Sequence, residues 1–185
     1  GNNAGHTIVH GGRVLKLHLL PSGVLHPQAK VVIGNGVVVD PKVLFAEMAE
    51  LKKLGLNIKL LISERAHVIF PFQVMLDRVS EGAKAHQALS ALSTQRGIWP
   101  TYADKAARIG IRIVDLLNPG IFQKKFNLLF ELQQKKLASL YGSKIKLNKN
   151  KIIKDYKNYA RRLKPYVSDV SLILNQAISA GKRIL

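Results

Sequence analysis

The fold of this chain is indicated by residues 30–63, which read KVVIGNGVVVDPKVLFAEMAELKKLGLNIKLLIS. The apolar run 30–34 is rich in β-branched residues, which favours a buried strand over a helix, and 59–63 forms a second such run. Between the runs, Asp40 and Pro41 predict a helix start, with Asp as the N-cap and Pro at the first helical position. A strand, a helix and a strand in this order predict a β/α unit, which is usually built on a largely parallel sheet.

A hairpin is predicted ahead of this unit. Residues 7–10 and 13–20 flank Gly11 and Gly12. In the second run Leu alternates with Lys or His, which is the two-residue period of a half-buried strand. The strand-rich part of the chain therefore extends over residues 1–70.

Beyond residue 70 the chain is predicted to be mainly helical as far as residue 181. Amphipathic periodicity predicts helices over 72–90 and 121–141, and Ser168-Asp169 predicts the cap of a last helix. A strand-like apolar run follows Gly181. The buried side of the second helix is predicted to carry six apolar residues: Phe122, Phe126, Leu129, Phe130, Leu132 and Leu137.

Together these segments predict one α/β domain over residues 1–185, with a largely parallel sheet over 1–70 and a mostly helical part over 71–181. Both ends of the sequence look cut, so we expect this domain to be incomplete. No apolar run reaches the roughly 18–20 residues of a membrane span. Cys is absent, which excludes disulfides, thiolate metal sites and a Cys nucleophile, and which fits a reducing, cytoplasmic compartment.

The charge of the chain is strongly positive, because 29 Lys and Arg residues against 11 Asp and Glu residues give a formal net charge of +18. Residues 1–90 contribute +4 (10 basic against 6 acidic) and residues 91–185 contribute +14 (19 against 5). Such a field attracts nucleic acid, phosphorylated metabolites or acidic lipid, or it is simply a solvated basic face. The basic segment 144–164 fits a nucleic-acid-binding helical hairpin, or an ordinary helix that buries Tyr156 and Tyr159.

The first candidate site is the segment 2–7, which reads Asn-Asn-Ala-Gly-His-Thr. Gly5 lets the backbone approach a ligand closely, and the amides of Asn2 and Asn3 can donate to and accept from a purine or a phosphate. His6 can donate to a phosphoryl oxygen or shuttle a proton near neutral pH. The competing interpretation is a purely structural loop histidine.

The second candidate site is the segment 93–100, which reads Ser-Thr-Gln-Arg-Gly-Ile-Trp-Pro. Its two hydroxyls and its guanidinium surround a glycine, a set suited to cradling a phosphate, and the competing interpretation is a surface turn. A short helix is predicted over 102–108, with Lys105 and Arg108 on one face. The chain holds no HExxH, no nucleophile elbow, no GxxxxGK[ST] loop and no GxGxxG, so neither a zinc site nor a Ser triad is predicted.

Five blocks occur in register over residues 1–118: Asn2-Asn3-Ala4-Gly5-His6-Thr7, Lys16-Leu17-His18-Leu19-Leu20-Pro21-Ser22-Gly23, Ile33-Gly34-Asn35-Gly36-Val37-Val38-Val39-Asp40-Pro41, Ser63-Glu64-Arg65-Ala66-His67-Val68-Ile69 and Asp104-Lys105-Ala106-Ala107-Arg108-Ile109-Gly110-Ile111-Arg112. Together these blocks resemble the adenylosuccinate synthetase family, the GTP-dependent ligases of AMP synthesis. The helical remainder, 119–185, fits the family's order and is less distinctive. The resemblance implies a P-loop-NTPase-like α/β fold and a homodimer in the cytoplasm.

The resemblance implies a two-step ligation. The γ-phosphoryl group of GTP passes to O6 of IMP, and the amine of L-aspartate then displaces phosphate to give adenylosuccinate. In this scheme His6 is the catalytic donor to the phosphoryl group, and the stretch Gly5-His6-Thr7 adjoins the GTP phosphates. Mg²⁺ is bound by the backbone carbonyl of Gly5.

The resemblance also implies how IMP is held. The stretch Asn3-Ala4-Gly5-His6 contacts IMP, the hydroxyl of Thr94 binds its phosphate, and Arg108 reaches the IMP phosphate of the partner subunit. The expected partners are therefore IMP, GTP, L-aspartate and a second copy of the chain, without a membrane or nucleic acid.

The sequence also departs from the family's pattern. Ser93 replaces a Thr, and Trp99 stands where a Gly is expected. The family's GDEGKGK-like GTP loop, with its catalytic aspartate, would precede residue 1, and the aspartate-binding and guanine-reading segments would follow residue 185. We therefore expect an internal fragment that does not catalyse ligation by itself. The alternatives are a truncated, non-catalytic relative that binds a purine nucleotide, and a basic nucleic-acid-binding module.

Overall fold

A computed structural model describes residues 1–10, 12–84, 93–142 and 145–185. Its first element is the predicted hairpin, in which strands β1 (His6–His10) and β2 (Arg13–Leu17) pair antiparallel with His6 opposite Leu17. Strand β2 ends three residues earlier than predicted, since the next three backbone N–H groups donate to the Glu47 carboxylate.

The predicted β/α unit is confirmed. Strands β3 (Val31–Ile33) and β5 (Leu60–Ser63) are parallel neighbours, and helix α1 (Pro41–Lys53) lies between them in the chain. Strand β4 (Val38–Val39) pairs in parallel with β6 (His67–Val68). The α/β class with a largely parallel sheet therefore holds.

The three-stranded sheet takes its last strand from the helical part of the chain. Strand β7 (Val167–Ser168) pairs in parallel with β5, which gives the order β3-β5-β7. Residues 1–70 therefore do not complete the sheet by themselves, and the strand-rich and helical parts share one framework.

Helices dominate the chain after residue 70. The α-helices of this part within the described ranges are α2 (Pro71–Lys84), α3 (Ile98–Ala106), α4 (Ile113–Leu117), α5 (Pro119–Tyr141), α6 (Lys149–Leu163) and α7 (Val170–Ser179). The predicted continuation of α2 over 85–90 lies outside the described residues. Helix α5 begins two residues before its predicted start, because Asn118 Oδ1 accepts from the first free N–H groups at 3.1 Å. None of these helices is long and apolar enough to cross a membrane.

Two predictions for the helical part need correction, and one pair of alternatives is decided. Leu132 is 38% exposed, although the other five residues predicted for the buried side of α5 are buried. Residues 182–185 are irregular and do not form a strand. Among the described residues of the basic segment there is one helix, α6, and it buries Ile152 and Tyr156 as the core interpretation predicts, whereas Tyr159 is only half-buried. Residues 143 and 144 lie outside the described part.

An aromatic cluster joins the sheet to the helical half. Phe70 lies at its centre, with its ring stacked on Tyr156 at a centroid distance of 4.2 Å and 5.6 Å from the ring of Phe126. The buried Tyr156 hydroxyl donates to the Ile69 carbonyl at 2.6 Å, so this polar group is satisfied inside the core.

Candidate functional site

The first candidate segment lies at the start of the hairpin. Asn2 is buried, Asn3, Ala4 and Gly5 are exposed, and His6 is half-buried as the first residue of β1. The His6 Nδ1 atom is 3.3 Å from the Ala4 carbonyl oxygen. Its Nε2 atom is buried and has no hydrogen-bond partner among the described residues. One side of the imidazole is therefore held by the loop, and the other side still needs a partner.

Gly5 brings this loop close to the second strand of the hairpin. A Cβ atom at Gly5 would lie 3.2 Å from Cδ2 of His18, which is tighter than an ordinary side-chain contact. Thr7, the second residue of β1, is exposed. The residues of this segment from Asn3 to Thr7 are therefore all exposed except the half-buried His6.

The second candidate segment forms a turn over residues 93–97, directly before α3. Thr94 is exposed. Gln95 (φ 55°) and Gly97 (φ 77°) both have left-handed backbone conformations. A Cβ atom at Gly97 would lie 2.9 Å from the backbone nitrogen of Val74 in α2. A glycine is therefore needed here both for conformation and for space.

Arg96 connects the two candidate segments. Its guanidinium donates to the backbone carbonyl of Asn2. A cleft of about 570 Å³ opens beside this contact and is lined by Asn2, Gln95 and Arg96 together with residues of α1, α2 and α6. The Asn2 Oδ1 atom is buried without a hydrogen-bond partner in the described part of the chain. The structure therefore joins the turn 93–97 to Asn2, at the start of the first segment, whereas His6 and Thr94 are not among the residues that line the cleft.

Arg108 lies apart from this site. Helix α3 ends at Ala106, because two later N–H groups fold back onto the Asp104 carbonyl at 3.0 Å. Arg108 follows with φ 61° and is exposed, so the predicted helix face shared with Lys105 is wrong. Lys105 Nζ instead donates to the Asn35 carbonyl at 3.0 Å. Arg108 is accessible to another molecule at this position.

A buried polar face that was not predicted from the sequence lies beneath the second segment. Gln73, Asp77 and Ser80 on α2 are all fully buried. Asp77 accepts from the Ser93 hydroxyl and, at 2.8 Å, from the Gly97 N–H group. A signal for this face existed, because the three α2 residues recur at i, i+4 and i+7 and therefore share one side of a helix.

Asp104 is a second buried carboxylate that the sequence did not reveal. The side-chain amides of Gln73 (2.8 Å) and Gln133 (2.8 and 3.0 Å) both donate to it. Burial raises the pKa of Asp104, while the two amide donors oppose this shift by favouring the charged form. The network ties α2, α3 and α5 together.

The whole chain matches known proteins of one family. The model of the family described as adenylosuccinate synthetase matches residues 1–185. The chain is 47% identical to the adenylosuccinate synthetase of Frankia casuarinae and 43% identical to that of Clostridium botulinum, and it covers 43% of each relative's length. Among solved structures, the fully ligated adenylosuccinate synthetase from Plasmodium falciparum superposes with a TM-score of 0.87 at 33% identity. That match covers all of this chain and 42% of the other.

Proposed function

Because this chain belongs to the adenylosuccinate synthetase family, we propose that it forms part of the nucleotide site of a GTP-dependent ligase that joins IMP and L-aspartate. The observation that supports this best is the contact of Arg96 with the Asn2 carbonyl. This contact joins the start of the segment that carries His6 to the turn that carries Thr94, and Asn2, Gln95 and Arg96 line one cleft beside it.

The proposed reaction has two steps. First, O6 of IMP attacks the γ-phosphorus of GTP, the bond to the bridging oxygen breaks, GDP leaves and IMP loses its N1 proton. Second, the amine of aspartate attacks C6, the C6–O6 bond breaks, and phosphate leaves as adenylosuccinate forms with loss of a proton. The first step is needed because an oxo group leaves poorly, whereas a phosphate leaves readily. The protein must therefore mainly position the phosphoryl groups and neutralise their charge.

His6 is the catalytic residue that we assign to the phosphoryl group. Its Nδ1 side is held against the Ala4 carbonyl, and its buried Nε2 atom has no partner among the described residues. Because the Ala4 carbonyl can only accept, Nδ1 is the donor in that contact, and donation from Nε2 to the phosphoryl oxygens requires the doubly protonated imidazolium. Such a preorganised cationic donor stabilises the oxygen charge that develops during transfer. The stretch Gly5-His6-Thr7 then adjoins the GTP phosphates.

IMP is proposed to lie between the two joined segments. The stretch Asn3-Ala4-Gly5-His6 contacts the nucleotide, and the exposed hydroxyl of Thr94 binds its phosphate. Arg108 is exposed and has no hydrogen bond or ion pair to either segment in the described structure. It therefore suits a role at the IMP phosphate of a partner subunit in a homodimer, where guanidinium groups bind phosphate well.

The residues present also fit the proposed Mg²⁺. This ion prefers oxygen ligands, keeps several waters and is usually bound through substrate phosphates. No group of three His, Asp or Glu residues among those described could hold a metal ion. By the family resemblance the exposed Gly5 carbonyl would supply one ligand, and phosphate and water would supply the rest. When bound, Mg²⁺ neutralises charge on the transferred phosphoryl group. We place the reaction in the cytoplasm, which the absence of Cys supports.

The test is phosphate release by the complete natural protein supplied with GTP, IMP, L-aspartate and Mg²⁺. We expect release to require IMP and aspartate together. His6→Asn should lower kcat roughly 10²-fold with little change in KM for IMP. His26→Asn is the matched control, because His26 is exposed and lies outside both segments.

Two results would contradict this proposal. A His6→Asn protein that keeps its kcat and shows only a higher KM would reject the catalytic role of His6. A complete protein that binds IMP or GTP but releases no phosphate would instead support the non-catalytic relative.

A further inference from the structure

Asp77 lies under the turn 93–97, on the buried face of α2. Its side chain is fully buried, and its two oxygens accept from the two ends of the turn. Oδ1 accepts from the Ser93 hydroxyl, and Oδ2 accepts from the Gly97 N–H group at 2.8 Å. A buried carboxylate is costly without such donors. The carboxylate and the turn therefore hold each other in place.

The backbone of the turn needs this support. Gln95 has a φ of 55°, a conformation that residues with side chains seldom adopt. The Ser93 hydroxyl accepts from the Gln95 N–H at 3.1 Å while it donates to Asp77. One hydroxyl thus links the carboxylate to the left-handed residue. At the other end, the backbone of Gly97 lies against α2 so closely that no side chain fits.

Thr94 and Arg96 lie between Ser93 and Gly97, the two residues that contact Asp77. Thr94 is exposed, and Arg96 reaches the Asn2 carbonyl. We infer that Asp77 is a positioning residue, which acts through Ser93 and Gly97 to hold the Thr94 hydroxyl against the IMP phosphate. This inference rests on the proposed function, because it requires Thr94 to bind that phosphate. Nothing in the proposed reaction requires Asp77 itself to touch a substrate.

The test compares Asp77→Ala and Asp77→Asn in the complete protein, by steady-state kinetics and by calorimetric titration with IMP. Asp77→Ala removes both acceptors, so KM and Kd for IMP should rise at least about tenfold, the scale of one hydrogen bond to a charged group. KM for GTP should stay within about twofold. Asp77→Asn retains an acceptor for the Gly97 N–H and can donate to the Ser93 oxygen. It should therefore restore most of the IMP affinity.

Matched variants separate positioning from general destabilisation. Asp115→Asn also alters a buried carboxylate, but one that pairs with Arg112 and Lys125, away from the turn. It should lower Tm without changing KM for IMP. Ser93→Ala should raise KM for IMP in the same direction as Asp77→Ala, and Ser93→Thr, which keeps the hydroxyl, should not. The Ser93 pair decides the question even if Asp77→Ala does not fold.

Each outcome bears on the inference. A folded Asp77→Ala protein with wild-type KM and Kd for IMP overturns it, and so does an Asp115→Asn protein with an equal rise. If the unaltered protein binds IMP but does not ligate it, the proposed reaction fails, while the Kd values still decide the role of Asp77. If the unaltered protein does not bind IMP, both proposals are overturned.

Discussion

Replacement of Glu47 by Ala should strongly destabilise the protein, because this one carboxylate serves three consecutive backbone donors. Glu47 lies on α1 and is only 7% exposed. Its oxygens accept from the N–H groups of His18 (2.6 Å), Leu19 (3.1 and 3.2 Å) and Leu20 (2.9 Å). These three residues directly follow the hairpin that carries His6. The carboxylate therefore fixes the point where the hairpin joins the rest of the fold.

The expected loss follows from the environment of each donor. A buried donor that loses its partner costs about 1–3 kcal/mol. Leu19 and Leu20 are buried, whereas His18 is half-buried and its N–H group can bind water instead. Glu47→Ala should therefore lower the free energy of unfolding by about 3–5 kcal/mol. Glu47→Gln keeps one acceptor oxygen but turns its amide N–H groups toward another backbone donor. We therefore expect it to lower the free energy of unfolding by about 1–3 kcal/mol.

The assay is urea unfolding followed by circular dichroism, with Glu50→Ala as the matched control. Glu50 lies on the same helix, so the intrinsic helix propensity changes equally. It is exposed and pairs with Lys53 at 2.8 Å, and such surface pairs contribute about 0–1 kcal/mol. Equal losses for the two variants, or a loss below about 1 kcal/mol for Glu47→Ala at an unchanged m-value, would refute the reasoning.

Three further outcomes are expected. Gly97→Ala should cost about 1–3 kcal/mol more than Gly55→Ala in denaturant unfolding. Both residues have positive φ (77° and 75°), but only at Gly97 would the new Cβ meet the α2 backbone, at 2.9 Å. Burial and nearby cations lower the pKa of His67 from 6.5 to about 4. As the pH falls, the His67 imidazole therefore binds a proton in the unfolded state at a higher pH than in the folded state. The free energy of unfolding should fall as pH drops from 6.5 to 4, and it should fall less in His67→Phe. If the proposed homodimer forms, mixing Arg108→Leu with His6→Asn protein should restore phosphate release, because each hybrid dimer then holds one site with both residues intact.

Each of these outcomes has a clear contrary result. Equal costs at the two glycines would mean that backbone conformation alone matters at Gly97. A pH dependence that is the same in His67→Phe would place the titration on other groups. Mixed proteins no more active than the separate variants, with subunit exchange demonstrated, would reject the role of Arg108 in the partner subunit.

The β/α unit could be predicted because the residues that indicate it contact only their near neighbours in the sequence. Asp40 caps α1 by accepting from the Lys42 N–H group at 2.9 Å, and Pro41 occupies the first helical position. Gly55, just after the helix, takes the left-handed conformation that ends many helices. None of these features depends on a distant residue. The segment 2–7 could be proposed as a site for the same reason, since its polar groups are contiguous in the sequence.

The errors arose where distant contacts choose between similar local alternatives. Leu132 belongs to the apolar pattern of α5, but that long helix carries more apolar residues than one buried face can hold, and Leu132 remains 38% exposed. Arg108 fits a helical spacing with Lys105, yet α3 ends at Ala106, and the N–H groups of the two residues after Arg108 turn back onto the Asp104 carbonyl. Periodicity indicates which residues share a face, but it does not indicate where a helix stops.

The support for the second segment could not be predicted, for a related reason. Gln73 and Asp77 follow the spacing of a polar helix face, which ordinarily faces water. Here that face is buried because its partners come from far along the chain: Ser93 is 16 residues from Asp77, and Asp104 is 31 residues from Gln73. A buried polar side chain is stable only where such partners meet it. The Thr94 hydroxyl could therefore be proposed as a phosphate ligand from the sequence. The contact of the Asp77 carboxylate with the turn could be seen only in the structure, where α2 packs against that turn.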